Sequence, residues 1–225
     1  MNTILSNYLQ KRFFVLFFIP FMLGIITVLG FSPYNLTFLN FVTFPTLLFL
    51  IFFVKKKTQT TYRKKKNNIY FFTLGLLFGF GFFLFVNYLI FISLTHDEIF
   101  KSLIPFAFTI IPLFLSIFFG FAILASAHLA TKNVYFILLF SLSFSIFEFL
   151  RGNVLTGFPW NLMSYTWSWS TETIQVISLI GTYSLSLISV TFFCSPFLLF
   201  QKKIDKKNVF FIIFLSLLFI CNYLY

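Results

Sequence analysis

Apolar residues run along this chain in long blocks, divided by a few short polar clusters. Seven blocks, at 13–30, 36–54, 69–94, 103–128, 134–150, 173–200 and 209–225, approach or exceed the ~20 residues that an α-helix needs to cross hydrocarbon. The pattern predicts an all-α membrane protein, a bundle of seven transmembrane helices forming one membrane domain over 1–225. The first block follows Lys11 and Arg12, as a signal peptide would, but it is too long for an h-region and no small-x-small site follows. It reads as a retained first span.

Within the blocks, small residues and prolines refine the picture. FSPYN at 31–35 is a turn punctuated by Pro33. Pro45 and Pro112 predict bends in the second and fourth spans, while Pro105 suits the first turn of the fourth. Gly75 and Gly79 form a small-xxx-small face for close helix packing. Gly120, Ala122, Ala125 and Ser126 give the fourth span a slim side, and Gly181, Ser184 and Ser186 supply small or polar contacts to the sixth.

The polar clusters set the orientation. Threaded seven times with the N-terminus inside, the chain puts Lys11, Arg12, KKKTQTTYRKKK (55–66), Lys132 and QKKIDKKN (201–208) on one side. Of 16 Lys and Arg, only Lys101 and Arg151 are left opposite, with Asp97, Glu98, Glu148 and Glu172. Basic loops stay cytoplasmic, so the N-terminus is expected inside and the C-terminus on the periplasmic face. The net charge of +11 then reflects topology and contact with anionic lipid rather than nucleic acid. Composition agrees: 60% hydrophobic, 9% charged, mean hydropathy +0.98, beyond the needs of a soluble core. The 41 phenylalanines read as coding bias, not as a stacking surface. Cys194 and Cys221 each lie alone in apolar runs, without CxxC or ligand-spaced His, so neither metal nor cofactor is expected. A reactive thiolate wants a basic, partly exposed setting, which neither cysteine has.

One stretch breaks the monotony: EFLRGNVLTGFPWNLMSYTWSW, 148–169. Glu148 and Arg151 are three apart, hence on one helix face and close enough to pair. Each charge near hydrocarbon costs about 2.5–3.5 kcal/mol, which leaves two readings, a structural ion pair or a substrate-facing role. Gly152, Gly157 and Pro159 are expected to end the helix after the pair. Residues 156–160 would form a re-entrant or interfacial turn packed on the bundle. Trp160, Trp167 and Trp169 read as an aromatic belt at headgroup depth.

The residues Glu148, Arg151, Gly152, Thr156, Gly157, Phe158, Pro159, Trp160 and Tyr165 resemble, position by position, the membrane-domain signature of the bacterial apolipoprotein N-acyltransferases. FSPYN after the first span and the Gly-rich run into Asn87 and Tyr88 match in order. Tyr88 is a departure from the Asn-Trp usual in that family. The resemblance implies acyl transfer from a glycerophospholipid to the α-amino group of an S-diacylglyceryl cysteine, in the bacterial cytoplasmic (inner) membrane. It also implies that the Cys, Glu and Lys of the reaction sit in a nitrilase-like domain, which is expected to lie outside this chain, in a separately encoded or lost part. The 225 residues alone are then expected to be inactive. A makeshift site from Cys194 or Cys221, Glu148 and Lys101 is not expected. Glu148, Arg151, Thr156, Phe158, Pro159, Trp160, Tyr165, Asn87 and Tyr88 become candidates for contact with lipid or lipoprotein. The alternatives are a non-catalytic membrane scaffold or truncated remnant, and a small transporter. Transport ranks last because the spans carry almost no ionisable residue besides Glu148 and His128. His128 itself reads as an interface residue and His96 as a solvated loop residue.

Overall fold

The computed structural model describes residues 14–58, 67–88, 102, 104–128, 130, 134–154, 157–200 and 206–224. Among them the regular structure is entirely helical. A π-helical turn, Phe14–Phe18, leads into α1 (Ile19–Val28), and a 3-10 turn, Thr37–Leu39, leads into α2 (Asn40–Thr58). The next three helices are α3 (Asn67–Val86), α4 (Ile104–Ala127) and α5 (Val134–Asn153). After the 3-10 turn Met163–Trp167 come α6 (Thr171–Gln175), α7 (Ile177–Ile180) and α8 (Thr182–Cys194), the last extended by a 3-10 turn, Ser195–Phe200. Helix α9 spans Lys206–Leu224.

Five of these segments are long and apolar enough to cross a membrane: Thr37–Lys56, Asn67–Val86, Ile104–Ala127, Val134–Asn153 and Thr182–Phe200. The chain is a multi-pass membrane protein. Apolar Leu16–Val28 and Thr171–Ile180 are shorter. Expectations resting on Lys11, Arg12, 59–66, His96, Lys101, Lys132, Thr156 and the Cys221 side chain lie outside the described residues.

Helix α3 is clamped between α1 and α4 because glycines remove the side chains that would keep them apart. A Cβ at Gly24 would fall on the carbonyl oxygen of Phe78, and one at Gly81 on that of Phe21. On the other flank a Cβ at Gly75 would strike the Phe119 carbonyl, and one at Gly79 would stand 2.9 Å from the Ser116 Cα. The expected Gly75/Gly79 face therefore meets α4, and membrane helices so close gain van der Waals contact along their length. Phenylalanines fill the remaining core. Phe44 of α2 stacks on Phe193 of α8 at 5.8 Å, and Phe119 of α4 lies 4.6 Å from Phe144 of α5. Such ring pairs contribute about 0.5–1.5 kcal/mol beyond their buried area.

At one end of the bundle Lys55 Nζ donates to the carbonyls of His128 (2.8 Å) and Ala130 (2.9 Å). It thereby caps the carbonyl end of α4. His128 sits at the end of α4, exposed, with its ring edge against Phe71 at 5.9 Å. The opposite end carries all three tryptophans and is called the Trp end here.

Two of the element boundaries that differ from expectation flank the signature turn. The run 173–200 is not one helix: Gly181, at φ +82 with open space around its α-carbon, separates α7 from α8, a conformation that favours glycine. Helix α5 does not stop at Leu150 but continues to Asn153. Gly152 is tolerated there because a Cβ would collide with the Tyr183 hydroxyl, so this helical glycine is a packing requirement. Pro45 and Pro112 lie inside continuous helices.

Gly75→Ala is expected to lower stability in detergent by about 1–3 kcal/mol, the usual cost of overpacking, because it meets backbone on α4. Gly120→Ala meets only the tip of the Phe72 ring and should cost less. Thermal unfolding of the two variants, compared at equal detergent, checks the ranking.

Candidate functional site

The end of α5 carries two charged side chains into the protein. Glu148 is 0% exposed and Arg151 1%. They share one flank, as the spacing predicts, and their charges attract through space, but no hydrogen bond joins them. Each reaches forward into the irregular chain that follows. Arg151 Nη1 donates to the carbonyl oxygens of Phe158 (2.7 Å) and Trp160 (2.9 Å). The Phe158 N–H returns a bond to the Arg151 carbonyl at 3.0 Å. Glu148 Oε1 accepts the Met163 N–H at 3.1 Å. Their hydrogen bonds go to the turn instead, because it offers two carbonyls and an amide that have left the helix ladder in an apolar surround.

These bonds are of the size that the burial demands. A hydrogen bond to a charged group contributes about 1.5–3 kcal/mol, so two of them offset an arginine insertion cost of about 2.5–3.5 kcal/mol. The guanidinium also lies over the Phe83 ring of α3 at 5.1 Å and over Phe158 at 5.9 Å, an added cation–π attraction. Glu148 Oε2 and Arg151 Nε and Nη2 make no hydrogen bond inside the protein.

The turn itself is shaped by Gly157 (φ +73), where a Cβ would run into the Gly152 carbonyl, and by Asn161 (φ +57) just after Trp160. Asparagine tolerates that left-handed conformation better than most residues. The result is a short coil held flat on the end of α5. It presents Trp160, 60% exposed, with Phe158 tilted against it at 5.6 Å and Pro159 also exposed.

The other expected contact residues divide by access. Tyr88 is exposed, Tyr165 is half-buried against the core, and Asn87 is buried with neither amide atom hydrogen-bonded. Of the three tryptophans expected in an aromatic belt, Trp160 and Trp169 are exposed, but Trp167 is buried and cannot belong to it. Its ring stacks on Phe219 at 4.6 Å, and its Nε1–H donates to Ser189 Oγ at 2.8 Å. An indole that finds an acceptor inside has no need of the headgroup region. Cys194 is buried at the far end of α8. It lies eight residues, about 12 Å of helix rise, beyond Ser186, the residue whose hydroxyl meets Ser164 beside the Glu148 contact. No Cys194–Glu148 dyad forms.

This geometry lies inside a recognisable stretch. Residues 23–195 match the family described as the apolipoprotein N-acyltransferase N-terminal domain. The chain belongs to that family. It is 33% identical over 185 residues to the apolipoprotein N-acyltransferase of Bradyrhizobium diazoefficiens, covering 82% of this chain and 33% of the relative. The corresponding enzyme of Rickettsia prowazekii is 38% identical over 136 residues, 60% of this chain and 27% of the relative. That of Brucella melitensis is 29% identical over 198 residues, 88% of this chain and 37% of the relative. The matched stretch thus spans about a third of the length of these relatives.

In this N-acyltransferase-type domain one residue that no local pattern singles out joins the first turn to the chain beyond the signature. Thr37 Oγ1 donates to the Thr166 carbonyl at 2.7 Å and accepts from Trp169 Nε1–H at 2.9 Å. It ties the 31–39 turn to the chain beyond the signature, across 129 residues of sequence. A lone threonine next to a turn carries no local signal of a partner so distant.

Thr37→Val should cost about 1–3 kcal/mol, since it strands a buried carbonyl and an indole N–H. Thr37→Ser should restore most of that. Unfolding in detergent, followed by indole fluorescence, separates the two. Arg151→Lys is expected to destabilise by a similar amount, because an ammonium replaces a planar fork that grips two carbonyls. The same variant should also raise the accessibility of Trp160 to iodide, measured as increased quenching.

Proposed function

We propose that this chain is the membrane part of an apolipoprotein N-acyltransferase of the bacterial inner membrane, with the Trp end on the periplasmic side. It holds the acyl donor, a glycerophospholipid, and the acceptor, a diacylglyceryl lipoprotein, beside a nitrilase-like catalytic domain supplied from outside residues 1–225. Seven spans with the N-terminus inside complete this arrangement and keep the basic loops cytoplasmic. Within the catalytic domain the ester C–O bond of the lipid breaks, releasing the lysolipid as its alcohol, and the acyl carbon forms an amide with the lipoprotein's α-amino nitrogen, whose proton passes to the departing alkoxide. The membrane part contributes position.

The observation that carries the reading is the Arg151 grip on Phe158 and Trp160. It fixes the backbone while leaving the indole of Trp160 outside, so that a rigid, amphipathic ring meets whatever approaches the Trp end. Aromatic rings of this kind bind at low entropic cost because they have few torsions to lose. Glu148 and Arg151 brace this turn. Phe158, Pro159, Trp160, Tyr165 and Tyr88 form the contact, with Thr156 alongside in sequence and Asn87 beneath. Family membership supports the same reading.

The test joins this chain to the part of the Bradyrhizobium relative that follows its matched stretch, in cells depleted of their own acyltransferase. Mass spectrometry of a reporter lipoprotein should show the N-acylated form, and Trp160→Ala should reduce it tenfold or more with the protein still inserted. N-acylation by residues 1–225 alone would refute the division of labour. An unchanged rate in Trp160→Ala, with altered recovery of bound partners, would favour a scaffold instead.

A further inference from the structure

Between the signature and α8 the chain forms a step that the acyltransferase reading leaves unused. Residues Thr171–Ile180 make two short helices, α6 and α7, that change character along their length. The first end is polar: Ser170 Oγ accepts the Thr173 N–H at 3.2 Å, and Thr171, Glu172 and Gln175 are exposed. Glu172 is held below the usual carboxylate range by its own backbone amide and by the hydroxyls of Ser170 and Thr171, the setting of a charge that stays in water. The second end is apolar and bare. Leu179 is 84% exposed, Ile180 is exposed beside it, and Gly181 has nothing within 4 Å of the position its Cβ would take.

An exposed apolar strip on α5 reaches α8 just beyond Leu179 and Ile180. On α5, Leu138, Leu142, Ile146 and Phe149 are all exposed at helical spacing, along a segment apolar enough to span. Phe149 at the top of that strip meets Tyr183 of α8 edge-on at 5.2 Å. Tyr183 stands two residues after Gly181, which alone separates Ile180 from the span beginning at Thr182. An exposed apolar segment joined so tightly to a span is placed to meet the acyl chains of a leaflet.

We propose that the α7 end of this step is a lipid-binding edge: Leu179 and Ile180 insert among the acyl chains of the adjoining leaflet while Glu172 remains in water. The edge borders the signature turn, since the Tyr183 hydroxyl and Pro159 both stand against Gly152. It therefore holds bilayer lipid next to Trp160. The inference rests on the membrane-spanning fold and not on the identity of the reaction.

The experiment places one cysteine at Leu179→Cys or at Glu172→Cys, with Cys194→Ala and Cys221→Ala, attaches an environment-sensitive fluorophore, and reconstitutes the protein into phosphatidylcholine and phosphatidylglycerol vesicles. If the native thiols cannot be removed without unfolding, they are left in place and the labelled parent serves as blank. Position 179 should emit to the blue of position 172, be quenched by lipid spin-labelled near the top of the acyl chain, and resist iodide at least threefold better. Equal iodide quenching at both positions would overturn the proposal. A blue-shifted label at 179 that spin-labelled lipid does not quench would also overturn it, because protein would then cover the edge.

Discussion

An arginine held by two backbone carbonyls is the interaction on which the Trp end depends. Chain that leaves a helix at apolar depth exposes amide groups that water cannot reach. Here the last turn of α5 supplies both kinds of partner. Arg151 donates to Phe158 and Trp160, and Glu148 accepts from Met163. The two charges then stabilise one another through space from one turn apart, while their hydrogen bonds are spent on the chain ahead. The arrangement requires close approach, and Gly152 and Gly157 provide it: a Cβ at either would occupy the place of Tyr183 or of the Gly152 carbonyl. Replacing the charges by apolar groups would leave the carbonyls at 158 and 160 stranded, which is why the charges are tolerated there.

What could be read from the sequence was what local pattern decides. The fourth block, expected at 103–128, is α4 at Ile104–Ala127, since a long apolar run flanked by polar residues has few other solutions. The Gly75/Gly79 face was legible for the same reason, because only one spacing lets backbones touch. Partners were not legible. The three-residue spacing of Glu148 and Arg151 announces a shared face but cannot say that each bonds to the loop. Trp167 looks like its two neighbours in sequence, and it is partners brought in by α8 and α9, Ser189, Phe193 and Phe219 among them, that make it a core residue. The break at Gly181 was visible as a glycine, yet its neighbours are as apolar as any span, so hydropathy ran straight through it.

Rigidity and access are separated at this end of the molecule. The backbone from Phe158 to Met163 is fixed from within by Glu148 and Arg151, and the 31–39 turn is tied on by Thr37. The side chains left outside are large, flat or stiff: Tyr88, Pro159, Trp160 and Trp169. A surface of that kind can grip without reorganising, because the ordering cost was met when the protein folded. Mobile, long polar side chains at the same positions would have had to be immobilised at each encounter.

The depth of this surface can be argued from the polar atoms beneath it. Asn40, Asn87, Ser164, Glu148 Oε2 and Arg151 Nε and Nη2 retain unused hydrogen-bonding capacity in buried positions. Asn40 opens α2, Asn87 follows α3, and Arg151 lies in the last turn of α5, so these groups gather at the Trp end. In the middle of a span such capacity would cost about 1–3 kcal/mol for each group, and among the described residues Ser141 and Ser145 on α5 alone show it further along a span. The layer where buried polar groups are allowed and the layer where indoles reach the surface are therefore the same. Such a coincidence is the pattern expected where hydrocarbon gives way to headgroups, and it supports the proposed place of the turn held by Arg151 at that boundary.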